Sequence, residues 1–164
     1  MDGKIIVRFI ATDGFVGAAI RKVTGSLFQH VEFGTEAGTW IGAHIGDGIQ
    51  ERPANYCNPT REYVYEIPCS LWKQRKLENW ARSKIGTKYN TKDILGLMFQ
   101  ARSVQSAGKL ICSQFCTDGL LEIFGASMVL NVLLEWTYRI TPEILHLSPI
   151  FVGRRVRRKD GISR

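Results

Sequence analysis

The chain has 164 residues, 45% of them hydrophobic and 10% aromatic, and a formal charge of +7; that supports one hydrophobic core and is too short for two ordinary domains. The charge resembles a nucleic-acid signature until it is located: residues 154–164 hold five Arg and one Lys against one Asp, a net +5 that leaves +2 for the rest. Composition therefore predicts one domain over residues 1–153, a basic C-terminal tail over 154–164 and no nucleic-acid partner.

Residues 4–11, Lys-Ile-Ile-Val-Arg-Phe-Ile-Ala, are rich in β-branched and aromatic types and stop at Thr12-Asp13-Gly14, so they predict a strand closed by a turn. The early Asp2 and the interruption by Arg8 argue against a secretion signal and predict a cytoplasmic chain. A short amphipathic helix is expected over 15–24, then strands over 27–33, 39–45 and 49–52, separated by Glu36-Ala37-Gly38 and Gly46-Asp47-Gly48 turns. One more strand is expected over 62–67.

Helices dominate the second half. Ser70 caps a helix whose apolar positions Leu77, Trp80, Ala81 and Ile85 recur at helical steps, with Gly86 as its stop. Another is expected over 91–101, then a polar loop over 102–109. A helix opens at Cys112 and runs to about Phe124. The apolar stretch 123–136 contains Gly125, Asn131 and Glu135, falls short of the roughly 20 residues of a bilayer span, and reads as a core helix. Thr141-Pro142-Glu143 starts a short helix and 149–156 a final strand. Strands early and helices late predict an α+β domain with an antiparallel sheet.

Cysteines 57, 69, 112 and 116 form no Cys-x-x-Cys pair, which predicts free thiols and no zinc knuckle. No phosphate loop or metal-ligand set is recognisable, so neither cofactor nor metal is expected. Cys112 stands where an extended run, 109–111, gives way to a helix, and a helix N-terminus favours thiolate over thiol. Cys116, one turn on, reads as core. The bases on offer are three histidines. His30 lies in a strand with Glu32 two positions on, so both side chains share a face. His44, on the strand that pairs back, can lie across from His30 and hold its ring. His146, between leucines, reads as structural. An early His strand, an acid at plus two and a late Cys helix are the parts of a Cys–His hydrolase.

The segments Phe28-Gln29-His30-Val31-Glu32-Phe33, Trp40-Ile41-Gly42-Ala43, residues 46–53, Ile85-Gly86-Thr87-Lys88-Tyr89-Asn90 and Ile111-Cys112-Ser113-Gln114-Phe115 resemble, in order and spacing, the circularly permuted NlpC-type cysteine hydrolases. These are the YiiX/YebB-like group of the papain-like superfamily, including versions carried by phages. The resemblance covers about residues 4–152 and implies a papain-like fold with the His strand first and the Cys helix last. It implies Cys112 as nucleophile, His30 as base and later acid, Glu32 as polar partner, and Tyr89, His44 and Ser113 as cleft candidates. The substrate class it implies is an amide or peptide bond, in peptidoglycan-type peptides. Permuted relatives also include lipid acyltransferases and thioesterases, and a phage structural protein on the same fold is a third expectation. Gln114 and Asn90 depart from the Glu and Asp frequent in the group, and Gly42 stands where unpermuted relatives carry a third polar residue.

Overall fold

The computed structural model describes residues 2–44, 46–88, 112–126 and 140–160. The strands are β1 (Gly3–Ala11), β2 (His30–Gly34), β3 (Trp40–His44), β4 (Gly48–Arg52), β5 (Arg61–Cys69) and β6 (Arg155–Lys159). The helices are α1 (Phe15–Thr24), α2 (Leu71–Ser83), α3 (Cys112–Phe124) and α4 (Pro142–His146), with a 3₁₀ turn over Pro149–Phe151. All six strands form one antiparallel sheet in the order β4-β3-β2-β1-β5-β6.

β1 is central because its sequence can be buried on both faces. Ile5, Val7 and Phe9 point to the helical side, where Phe9 meets the rings of Phe28, Tyr65, His146 and Phe151 at centroid distances of 5.2–5.8 Å. Arg8 points to the opposite face and is also buried. On α3 the buried residues Cys112, Phe115, Cys116, Gly119, Leu120 and Ile123 recur at three- and four-residue steps, and this stripe lies on β2 and β3. α2 presents Leu77 and Ala81 to β1 and α3. At their crossing Gly119 lets Trp80, Phe33 and Leu77 come so close that a Cβ would meet them at 2.7–3.0 Å.

The caps fall where the sequence placed them. Ser70 Oγ accepts from the Lys73 N–H at the start of α2, and Thr141 Oγ1 accepts from the Ile144 N–H at the start of α4. Among the described residues no helix is long and apolar enough to cross a membrane.

Three expectations are corrected. The final strand begins at Arg155, because Ser148 and Pro149 start a 3₁₀ turn that tucks Ile150 and Phe151 into the core. The basic segment expected as a separate tail is thus, over Arg155–Lys159, the edge strand β6, paired with β5 from Glu62↔Lys159 to Tyr65↔Arg155. β2 likewise starts at His30; Ser26 Oγ donates to the Phe28 carbonyl and holds the preceding residues in a turn. The expected helix over 91–101, the loop over 102–109, the extended run before Cys112 and most of the helix over 123–136 lie outside the described residues.

Candidate functional site

Cys112 is the first residue of α3, and its side chain comes to the end of β2 that starts with His30. The thiol stands 3.9 Å from the Gln29 carbonyl, to which it can donate, and the N–H groups of Val31 and Ser113 point at the sulfur. The imidazole of His30 lies beside the thiol, close enough for each group to shift the pKa of the other. Burial by itself pushes the thiol pKa up; the His30 contact, its charge and the two N–H groups outweigh burial and pull it below its usual value. Burial pushes His30 down, but Cys112 and Glu32 raise its pKa to about 9. The two shifts favour a thiolate beside an imidazolium.

The other thiols behave in the opposite way. Burial raises Cys57 and Cys69, and burial with the nearby Cys112 and Glu32 raises Cys116 well above the ordinary thiol range. Cys116 is fully buried in the core, as its position one turn on predicted. All four cysteines are free.

Glu32 sits on the same face of β2 as His30, as the period of two requires, with its Oε2 3.4 Å from His30 Nε2. It is fully buried, and an unpaired carboxylate there would be costly. Arg8, its direct cross-strand partner in the β1–β2 register, neutralises it: Nε donates to Oε1 at 2.6 Å and Nη2 donates to the same oxygen. Tyr56, from the connection after β4, donates to Oε2 at 3.0 Å. Burial pushes the Glu32 pKa up, but His30 and Arg8 together hold it below the ordinary carboxylate range. Arg8 also reaches Glu62 on β5 with Nη1 at 3.3 Å, and its guanidinium lies 3.9 Å over the Trp40 ring. Arg157 of β6 then donates to Glu62 from Nη2 at 3.1 Å, so charges alternate across β2, β1, β5 and β6.

His44 lies across from His30, as the strand pairing predicted, with ring centroids 4.7 Å apart. Burial, His30 and Arg52 lower its pKa to about 3, which keeps the ring neutral. Gly42 explains how the two histidines and the acid fit together: a Cβ there would stand 2.9 Å from Glu32 Cβ and 3.1 Å from His30 Nε2. The absent side chain is the space that the His30–Glu32 pair occupies.

The remaining expected residues divide. Ser113 is buried, and its hydroxyl donates to the Ile140 carbonyl, tying α3 to the segment before α4 and not opening onto a cleft; its backbone N–H is what faces the sulfur. Tyr89 lies outside the described residues. His146 packs in the Phe9 cluster with Nε2 against the Tyr65 hydroxyl at 2.6 Å, a structural placement. The sequence reading missed Arg8, Tyr56 and Glu62. The available signal was Arg8 itself, a lone charge inside an apolar strand, which needs a buried counter-charge.

No family model and no curated protein matches the sequence. Among solved structures, the crystal structure of metalloprotein yiiX from Escherichia coli O157:H7, described as DUF1105, is similar, with TM-score 0.68 and 14% sequence identity over 96% of this chain and 97% of that chain. At that identity the likeness carries the fold: an antiparallel sheet with a few helices packed on it, in one YiiX-like domain.

Proposed function

We propose that this protein is a thiol hydrolase that opens an amide or peptide bond through an acyl-enzyme on Cys112. The observation that carries the reading is the Cys112–His30–Glu32 arrangement: a thiol at a helix start, within reach of an imidazole, with a carboxylate behind the ring. It has the order of roles of a Cys–His–acid triad, which is recognised by geometry and not by chain order. The papain-like, permuted NlpC-type resemblance of the sequence supports the same roles and suggests peptidoglycan-type peptides as the substrate class.

In this reading His30 holds the thiol proton, and Cys112 Sγ attacks the carbonyl carbon. Glu32 Oε2 faces Nε2, which leaves Nδ1 as the nitrogen on the thiol side. The Cys112 backbone N–H, at the start of α3, is placed to stabilise the oxyanion, a contribution of roughly 3 kcal/mol per donor. His30 then gives its proton to the leaving amine, and in the second half accepts one from the water that releases the acyl group. Arg8 and Tyr56 keep Glu32 ionised and fixed, which keeps the ring aligned. The solved neighbour is described as a metalloprotein; in this chain His30, Glu32 and His44 would hold a cation, and there it would polarise a carbonyl oxygen or a bound water. The steps above run through the chain's own groups.

Alkylation by iodoacetamide tests the reading. At pH 6.5 Cys112 is expected to react at least about tenfold faster than Cys57, Cys69 or Cys116, and His30→Ala is expected to remove that advantage. Equal labelling of the four thiols in the folded protein would sink it.

A further inference from the structure

Two buried imidazole nitrogens beside the thiol make no well-formed hydrogen bond: Nε2 of His44, and Nε2 of His30, which has only its 3.4 Å ion-pair contact with Glu32 Oε2. Both rings stand against the Glu32 carboxylate, and one ligand atom from each of the three residues lies within 4.8 Å of the others. A buried polar atom without a well-formed hydrogen bond costs on the order of 1–3 kcal/mol, so a pair of them converging on a carboxylate needs a reason.

The spacing supplies one. His30 Nε2 and Glu32 Oε2 are 3.4 Å apart. Two ligands each about 2.0–2.1 Å from a tetrahedral zinc ion stand roughly 3.3 Å from one another. His44 is neighbour to His30 with ring centroids 4.7 Å apart, and it offers a ring nitrogen within 4.8 Å of the other two ligand atoms. A side chain at residue 42 would crowd the ligand atoms, since a Cβ would lie 3.1 Å from His30 Nε2 and 3.4 Å from Glu32 Oε2; glycine leaves them uncovered on that side. The surrounding charges leave the ligand atoms free. Arg8 occupies Oε1, and Tyr56 uses one lone pair of Oε2 and leaves the other. Arg52, whose charge also acts on His44, is paired with Asp47 at 2.7 Å.

We propose that His30, Glu32 and His44 form a binding site for one divalent cation of the zinc class, on the side of the His30 ring that faces away from Cys112. Two imidazoles and one carboxylate suit zinc or cobalt; a calcium or magnesium site would be built from oxygens. Cys112 is not a ligand in this arrangement. With the cation on Nε2 the ring proton must sit on Nδ1, so His30 can then donate to the sulfur and cannot take its proton. The cation-loaded and thiol-active forms are alternative uses of one histidine. That last consequence rests on the thiol reading; the site itself does not.

Metal-free, full-length protein titrated with Co2+ and Zn2+ tests the site. One ion per chain is expected, with visible cobalt bands of a nitrogen and oxygen site and no thiolate-to-cobalt charge-transfer band. Cys112→Ser is expected to keep this binding, and His44→Ala to weaken it at least about tenfold, read by competition with a chromophoric chelator. Thermal melting confirms that each variant is folded, and His44→Gln replaces His44→Ala if the latter is not. The proposal is overturned if no stoichiometric ion binds, if His44→Ala binds as the parent does, or if binding disappears in Cys112→Ser. Binding in Cys112→Ser is read without any thiol chemistry, so this result and the alkylation result fail independently.

Discussion

Arg8 shows how much one side chain decides at the residue scale. Its guanidinium is the counter-charge for two carboxylates on two different strands, Glu32 and Glu62, and its side chain is 3% exposed. Removing one member of such a buried set strands the others, which costs about 3–5 kcal/mol. Arg8→Met is therefore expected to lower the stability by about that amount in urea unfolding; a loss below about 1 kcal/mol would mean that water already screens the acids. The pH dependence of Cys112 follows from its contacts. Because the thiol pKa is lowered and that of His30 raised to about 9, the alkylation rate should stay high as pH falls below 8 and decline only under the lowered thiol pKa. In His30→Ala the profile should climb toward the ordinary thiol range, since burial is then opposed only by the Val31 and Ser113 N–H groups.

Asp118, on α3, gives a separate test of sign. Burial raises its pKa from the ordinary 3.8 to about 6, against a small opposing effect of Lys84. A raised carboxylate favours the fold while it is protonated, and that advantage is lost as pH rises through about 6. The group is only partly buried, so the shift is discounted to about 1–2 kcal/mol. Asp118→Asn should stabilise the protein by about that much at pH 8 and by nothing at pH 3.5, measured by chemical unfolding at the two pH values.

At the scale of elements, the α2–α3 crossing is a tight joint. Gly→Ala inside a helix ordinarily stabilises by about 0.5–1 kcal/mol. Here the added Cβ meets Trp80 Cζ3 at 2.7 Å, and that ring is itself stacked on Phe115 at 5.3 Å and cannot swing away freely. Overpacking wins, and Gly119→Ala is expected to destabilise by about 1–3 kcal/mol and to lower the melting temperature.

The elements also show which parts of the chain were readable beforehand. α2, α3 and α4 were legible because Ser70 and Thr141 are caps and α3 has a regular apolar step. β1 to β5 were legible from β-branched runs between glycine turns. β6 was not, because an edge strand whose residues are all exposed has the composition of a solvated tail; only its main-chain pairing with β5 makes it a strand. At the site, Cys112, His30, Glu32 and His44 were legible from strand period and chain order. Arg8, Tyr56 and Glu62 were not, because they meet Glu32 or Arg8 across strands and a connection that a linear pattern does not bring together. The absence of Cys-x-x-Cys spacing said nothing about a cluster made of two histidines and an acid.

At the scale of the molecule, the basic segment is part of the body of the protein. A chain truncated after Gly153 would lose β6, leave the β5 edge open and free Glu62 from Arg157. The truncated chain is expected to melt lower, and backbone amides of β5 to exchange faster with solvent, whereas removal of a loose tail would change neither.

The alternation of charge across Glu32, Arg8, Glu62 and Arg157 also bears on how the sheet finds its alignment. Strands largely buried on both faces, as β1 and β5 are, draw little register information from hydrophobic contact alone. A slip of one residue would turn Arg8 into the aromatic cluster around Phe9, and a slip of two would carry it roughly 7 Å along the strand from its acids. Either leaves ionised groups buried without partners. The residues that position the candidate site thereby also fix the register of the sheet on which α3 brings Cys112 to His30.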